Sequence, residues 1–301
     1  MTFAPGSIGG VVMTHPERLI WPSLGITKLE LARYIGEVGE WMLPQLANRP
    51  LTLLRCPQGA EAKCFYQRHP GIGAGAGALG TFKGERSRKG ETLYVNSIPA
   101  LISLVQNGAV EMHTWGVTLP DARHPDRITL DLDPDPELPW EKLRAATVLT
   151  QALVDGLKLR SFLKTTGGKG LHVVIPLVPR LGWDGVREFS RLAAETLAKA
   201  RPDLFTAKMA KQQRAGKLFV DYLRNADAAS AVAAYSPRAR PGATVSTPLA
   251  WEELDKSDLR TKFTVRSVPR RLAQLRRDPW RDYFTTRQSI TAAMRRALGA
   301  Q

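Results

Sequence analysis

Asp131 and Asp133 are residues whose type and spacing suit metal-assisted chemistry. They lie in Ile128-Thr129-Leu130-Asp131-Leu132-Asp133-Pro134, where apolar and polar residues alternate. That alternation predicts a half-buried β-strand with Ile128, Leu130 and Leu132 on the core side and Thr129, Asp131 and Asp133 on the other. Residues two apart on a strand are about 6.5–7 Å apart at Cα. Both carboxylates can therefore converge on hard cations, which prefer oxygen ligands. Side by side they repel one another unless positive charge lies between them. A metal pair for phosphoryl chemistry is one reading, and a solvent-facing acidic strand end is the other.

Three further segments supply matching chemistry. Lys164-Thr165-Thr166-Gly167-Gly168-Lys169-Gly170-Leu171-His172 resembles a phosphate-binding loop without the Walker A spacing. Its glycines let backbone N–H groups approach phosphate oxygens, Thr166 adds a hydroxyl, Lys169 adds charge, and His172 opens the next strand. A glycine-rich hairpin with a half-buried His is the structural alternative. In Phe219-Val220-Asp221-Tyr222-Leu223-Arg224, Asp221 sits among apolar residues, where a carboxylate is costly unless paired or metal-bound. It either completes a set of three with Asp131 and Asp133 or pairs with Arg224 or Lys217. In Tyr235-Ser236-Pro237-Arg238-Ala239-Arg240-Pro241-Gly242, Arg238 and Arg240 alternate and can point at one anion, for which arginine forks are suited; a basic surface turn is the alternative.

These segments need positioning elements. Thr27-x-x-Glu30 reads as a capping box opening a helix that runs by its apolar spacing to Pro44. Lys28 in its first turn, with Arg18 nearby, could hold an anion at the helix N-terminus. Further helices are predicted over residues 98–107, 139–157, 185–200 and 289–298. Strands are predicted over 91–95, 110–115, 161–165, 171–177 and 218–223. Pro70 to Gly80 reads as a glycine-alanine surface loop, continued by a basic stretch to Gly90. Its Gly75-x-Gly77-x-x-Gly80 lacks the strand and βαβ context of a dinucleotide site. Strands and helices mix without βαβ alternation, which predicts an α+β fold with a largely antiparallel sheet.

Composition narrows the partners. The 301 residues carry 43 Lys and Arg against 28 Asp and Glu, a net charge of +15, which attracts polyanions, nucleic acid foremost. No apolar run approaches the ~20 residues that span a bilayer, and the first residues lack the basic start and apolar core expected of a secretory signal. No membrane partner is expected. Cys56 and Cys64 are the two cysteines. Their spacing from each other and from His69 does not match zinc pairs, and both are read as unbonded residues of a cytoplasmic protein.

Taken in order, the four segments resemble the archaeo-eukaryotic primase superfamily, and more narrowly the polymerase domain of bacterial ligase D, the repair ligase of non-homologous end joining. The resemblance runs from Arg18-Leu19-Ile20-Trp21-Pro22 to Val245-Ser246-Thr247-Pro248-Leu249-Ala250-Trp251. It implies a single primase/polymerase domain over residues 1–301. It further implies a primase-like, RRM-like catalytic lobe (109–301) flanked by helices, expected to form a cleft with a smaller N-terminal lobe (1–108). It implies that Asp131, Asp133 and Asp221 bind two Mn²⁺ or Mg²⁺ ions. Thr166, Lys169, His172, Arg224, Arg238 and Arg240 are implied to hold the triphosphate of an NTP or dNTP. His113 is implied to lie near the nucleotide sugar and Phe65 and Tyr66 under the base. Arg18 and Lys28 are implied to take the 5′-phosphate of a gapped or broken DNA end. Ribonucleotides are the implied preference, and Ku and ligase or phosphoesterase modules are implied partners, with the protein at the bacterial nucleoid. Thr166 stands where serine is expected, Tyr66 where phenylalanine is common, and His15 and Arg18 flank a site where asparagine and lysine are familiar. A metal-dependent nuclease could use the same aspartates but has no need of the triphosphate segments. A non-catalytic DNA-end binding module has no use for three adjacent carboxylates.

Overall fold

The computed structural model describes residues 7–71, 79–83, 90–255 and 258–300. The chain divides into two compact units, one of Met1–Pro120, Val232–Thr247 and Thr261–Arg276, the other of Asp121–Ala231, Pro248–Arg260 and Arg277–Gln301. The boundary expected at residue 108 is thus displaced to 120, and two later segments return to the first unit. The cause is strand pairing: Ala109–Thr114, which holds His113, is hydrogen-bonded to Leu51–Arg55.

In the first unit, helix α1 (Lys28–Leu46) packs on helix α2 (Ile98–Gln106). Thr27 Oγ1 caps α1 by accepting the Glu30 N–H at 3.1 Å. The Glu30 carboxylate accepts from Arg266 Nε at 2.8 Å. The inward stripe Leu31, Ile35, Val38, Met42 and Leu46 is almost wholly buried, as helical periodicity requires. Beside the helices lies a sheet with strands β1 (Leu51–Arg55), β2 (Phe65–Gln67) and β3 (Ala109–Thr114). β1 is central and antiparallel to both neighbours, and the short strand Ala231–Val232 adds the outer edge on β3.

Two expectations change here. Cys56 and Cys64 form a disulfide. Gly59 adopts φ +101°, and its N–H bonds the Cys56 carbonyl at 3.0 Å, turning the chain back after β1. A Cβ at Gly59 would press on the Leu19 and Ile20 carbonyls at 3.2 Å. This turn brings the Cα atoms of Cys56 and Cys64 to 4.4 Å. Gly80–Phe82, expected within a loop, is a strand paired antiparallel with Thr92–Tyr94. Gly75, Gly77 and most of the basic stretch before Gly90 lie outside the described residues.

The second unit is a six-stranded sheet with two helices. Its elements are β4 (Arg127–Pro134), α3 (Trp140–Gly156), β5 (Phe162–Thr165), β6 (Leu171–Pro176), α4 (Trp183–Ala200), β7 (Phe205–Thr206), β8 (Leu218–Asp221) and β9 (Pro248–Leu249). The strand order is β7-β8-β4-β6-β5-β9, all antiparallel except β7 with β8. On one face, Ile128 pairs with Ile175, Leu130 with Val173 and Leu132 with Leu171. Every one of these six is at most 1% exposed. Helices α3 and α4 pack against this sheet, so the face that alternation assigned to the core is the core. The opposite face is apolar at one end, where Phe162, Val174, Trp280 and Tyr283 cluster. Part of the basic C-terminal segment is therefore anchored, with Trp280 Nε1 donating to the Leu163 carbonyl at 2.8 Å. The rest of that face carries the chemistry. Among the described residues no helix is long and apolar enough to cross a membrane.

Candidate functional site

Antiparallel register sets a row of polar side chains across four neighbouring strands. Asp221 on β8 is opposite Asp131 on β4, Asp131 is opposite His172 on β6, and His172 is opposite Lys164 on β5. Directly opposed residues share a face, so sequence segments up to 90 residues apart meet in one line. Burial is near complete at the inner end, with His172 at 2% exposure and Lys164 at 3%.

Charge balance explains how so many ionisable groups coexist. Arg224, on the turn following β8, places Nε 3.2 Å from an Asp131 oxygen and 3.2 Å from an Asp221 oxygen. His172 Nε2 lies 3.4 Å from the other Asp131 oxygen. Burial alone would raise the Asp131 carboxyl, but His172 and Arg224 hold it well below the usual carboxylate range. Asp221 moves the other way: burial, with Asp131 adding to it, outweighs Arg224 and raises its carboxyl. Burial and the Lys164 charge lower the His172 imidazole to about 4 against the pull of Asp131, so the ring is neutral at physiological pH. Asp133, one pleat along, faces two other cations, Lys169 Nζ at 3.2 Å and Arg214 Nη1 at 3.6 Å. Arg214 also lies over the Phe219 ring, 3.7 Å from its centroid.

Two local devices fix this row. The Thr166 hydroxyl donates to the Gly170 carbonyl at 3.0 Å and accepts the Gly168 N–H at 3.2 Å. The hydroxyl expected to meet phosphate therefore closes the turn that presents Lys169. Gly170 is required by close approach, since a Cβ there would stand 2.3 Å from the Leu132 carbonyl oxygen. At Thr129 the β8 ladder has ended, and the Asn225 side chain takes over, accepting the Thr129 N–H at 2.7 Å and donating to its carbonyl at 2.9 Å. That bridge buries Thr129 despite its place on the polar face.

The donor set of Asp131, Asp133 and Asp221 is all carboxylate oxygen, which suits Mg²⁺ or Mn²⁺. Among the described residues no three His, Cys, Asp or Glu side chains are gathered closely enough to hold an ion by themselves. Ions of this kind are commonly bound by one or two carboxylates with substrate phosphates completing the shell. His172 Nδ1 is buried with no hydrogen-bond partner among the described residues; with the ring neutral and its proton on the Nε2 that faces Asp131, Nδ1 is an acceptor. The residues present fit metal-bound triphosphate.

In the first unit a second polar cluster surrounds Glu111 on β3. Its carboxylate is paired with His113 Nε2 at 2.8 Å and Arg238 Nε at 2.9 Å, and accepts the Ala239 N–H at 2.8 Å. Burial would raise Glu111, but the His113 bond, the Arg238 charge and the Ala239 N–H bring it down to about 2. Tyr66, Leu54 and Glu111 are successive register partners across β2, β1 and β3. Tyr66 therefore shares the His113 face, and the two rings meet edge to face at 5.9 Å. Phe65, its neighbour on β2, stands opposite Arg55, whose guanidinium is 5.6 Å from the ring centroid. The two aromatics expected to act as a pair thus lie on alternate faces of their strand.

Arg238 and Arg240, read as two arginines able to point at one anion, lie on a turn. The Arg240 N–H closes a tight turn on the Arg238 carbonyl at 2.8 Å. Arg238 is committed to Glu111, while Arg240 is exposed. Lys28 and Arg18 are neighbours, the Lys28 N–H bonding the Arg18 carbonyl at 2.7 Å. Lys28 is buried with Nζ on the Thr14 carbonyl at 2.8 Å. Arg18 is exposed and donates to the Pro57 carbonyl at 3.1 Å. Burial and the Arg18 charge lower the Lys28 ammonium, so the pair gains from an anion.

Sequence reasoning missed Glu111, Lys164, Arg214 and Asn225. Alternation in Val110-Glu111-Met112-His113 already places Glu111 on the His113 face. Nothing local marks the other three.

The LigD, primase-polymerase domain family model matches residues 27–280. The chain is 45% identical over 291 residues to the multifunctional non-homologous end joining protein LigD of Pseudomonas aeruginosa, covering 96% of this chain and 35% of that protein. It is 30% identical over 256 residues to the bifunctional non-homologous end joining protein LigD of Bacillus subtilis, covering 85% and 41%. The chain thus spans well under half the length of these relatives. Its fold matches the polymerase domain from Mycobacterium tuberculosis ligase D in complex with DNA, with a TM-score of 0.80 and 30% identity over 88% of this chain and 94% of that one.

Proposed function

We propose the function from one premise: the chain belongs to the LigD primase-polymerase domain family. It is a nucleotidyltransferase that adds nucleotides to a DNA 3′-hydroxyl at gaps and double-strand-break ends during non-homologous end joining. The observation that carries this reading is the cross-strand row of Asp221, Asp131 and His172 with Arg224 between the two carboxylates.

The reaction is attack of the 3′-hydroxyl oxygen on the α-phosphorus of a nucleoside triphosphate, with pyrophosphate leaving. Asp131, Asp133 and Asp221 would hold two divalent ions, Mn²⁺ or Mg²⁺, which when bound lower the pKa of the attacking hydroxyl and stabilise the leaving oxygen. The chain's own part is electrostatic positioning. Lys169, Arg224 and Arg240 neutralise the phosphates, and Thr166 holds the turn that presents Lys169. His172 is neutral and buried, and the one proton of its ring, on Nε2, orients the Asp131 carboxylate without adding charge. No side chain needs to act as a nucleophile. Arg238 is held toward the nucleotide by Glu111, His113 and Tyr66 contact sugar and base, and Phe65 adds apolar surface on the neighbouring face. Arg18 and Lys28 take the 5′-phosphate of the downstream end. The +15 charge strengthens attraction to DNA and makes binding salt-dependent.

Extension of a 5′-phosphorylated gapped DNA in Mn²⁺, with ATP and dATP in parallel, tests this reading. Metal-dependent addition, faster with ATP, is the expected result. DNA binding without addition under any divalent ion would point to an end-binding module, and strand shortening to a nuclease.

A further inference from the structure

We infer that Glu111 is a positioning residue for the nucleotide sugar, acting through His113 and Arg238. This inference rests on the nucleotidyltransferase reading above and adds a residue to it.

The argument begins with where Glu111 stands. It is 2% exposed on a strand, where a carboxylate is tolerated only if its charge is paired and its oxygens are hydrogen-bonded. Three donors meet that demand: His113, Arg238 and the Ala239 N–H. Two of these belong to a segment 127–128 residues further along the chain. The carboxylate therefore ties the turn at residues 238–240 to the strand that carries His113.

Each contact has a steric consequence. An ionised carboxylate only accepts hydrogen bonds, so the His113 Nε2 that faces it carries a proton. That fixes the tautomer or charge state of the ring as well as its plane. The same oxygen takes Arg238 Nε, which orients the guanidinium. Tyr66 then packs edge-on against the fixed imidazole. A catalytic constellation held only loosely loses much of its effect. One buried anion here sets the attitude of two side chains and the turn between them.

A purely structural Glu111 would also be buried and paired. The two roles part in kinetics. Glu111→Gln keeps shape and volume but replaces one acceptor oxygen with a donor, which conflicts either with His113 Nε2–H and Arg238 Nε–H, which share one oxygen, or with the Ala239 N–H on the other. The variant is expected to fold, to raise KM for ATP by about tenfold, and to shift the ATP-to-dATP preference. KM for the DNA and the Mn²⁺ dependence should not change. The decisive reading is a double-mutant cycle with His113→Ala. If Glu111 acts through His113, the double variant is little worse on ATP than His113→Ala alone. Additive losses, or an unchanged KM and sugar preference in Glu111→Gln, would overturn the inference. Wild-type protein that adds no nucleotide would overturn the premise instead, so the two failures are distinguishable. Should Glu111→Gln melt well below wild type, Glu111→Asp supplies the second comparison. It keeps the charge but is one methylene shorter, and a wild-type KM and sugar preference in that variant would also contradict the inference.

Discussion

Asp131 stands directly opposite Asp221 in the sheet, and the Arg224 Nε lies 3.2 Å from an oxygen of each. The two carboxylates are chemically alike but electrostatically unequal. Asp131 also has His172 and is held ionised, whereas burial and the Asp131 charge work against Asp221. Their variants should behave differently. Asp131→Asn removes one of the two carboxylates on Arg224 and the charged acceptor facing His172, and should destabilise by about 1–3 kcal/mol. Asp221→Asn removes a like charge and should be within about 1 kcal/mol of wild type. Both should abolish nucleotide addition. Thermal melts beside activity check this, and equal destabilisation by the two would refute the asymmetry.

Asn225 continues the sheet with a side chain. It bonds both backbone groups of Thr129, two residues before Asp131. Asn225→Ala leaves both buried groups unpaired and should cost about 2–4 kcal/mol. Because β4 carries Asp131, activity should fall as well. Chemical denaturation measures the first effect and primer extension the second.

Glu111 gives a pH signature. Its carboxyl is about 2 in the folded chain against 4.5 ordinarily. A depressed carboxylate contributes stability that is fully present above its unfolded pKa and lost as pH falls through its folded one. The window is therefore from about pH 5 down to 2, and the contribution about 3 kcal/mol. Glu111→Gln should show a shallower loss of stability over that window. Urea midpoints at pH 6 and pH 3 (conditions of the test) for both proteins check it.

Arg18 is exposed and beside buried Lys28. Arg18→Ala should leave stability unchanged and reduce the preference for 5′-phosphorylated over unphosphorylated ends by about tenfold. Binding isotherms on the two DNAs measure it. An unchanged preference would remove Arg18 from the phosphate site.

The legible parts of this fold were those written in local periodicity. The alternation through Asp131 gave its strand and its core face, and Thr27 with the apolar spacing behind it gave α1. What stayed hidden depends on pairing between distant segments. That His113 belongs with Leu51–Arg55 rather than with the aspartates is a matter of strand register. Arg238 read as a free phosphate fork because its partner, Glu111, is 127 residues away. Arg214 has no local mark, since its place beside Asp133 depends on the path of the chain into β8. The disulfide was missed for a related reason: a turn at Gly59, not the cysteine spacing itself, brings Cys56 and Cys64 together.

The most direct test of the central claim is Mn²⁺ binding in the presence of ATP, read by electron paramagnetic resonance of the free ion. The wild-type protein should take up ions, with Asp131→Asn and Asp221→Asn each losing at least about tenfold in affinity. Uptake unchanged in both variants would contradict the assignment of these carboxylates as the metal site.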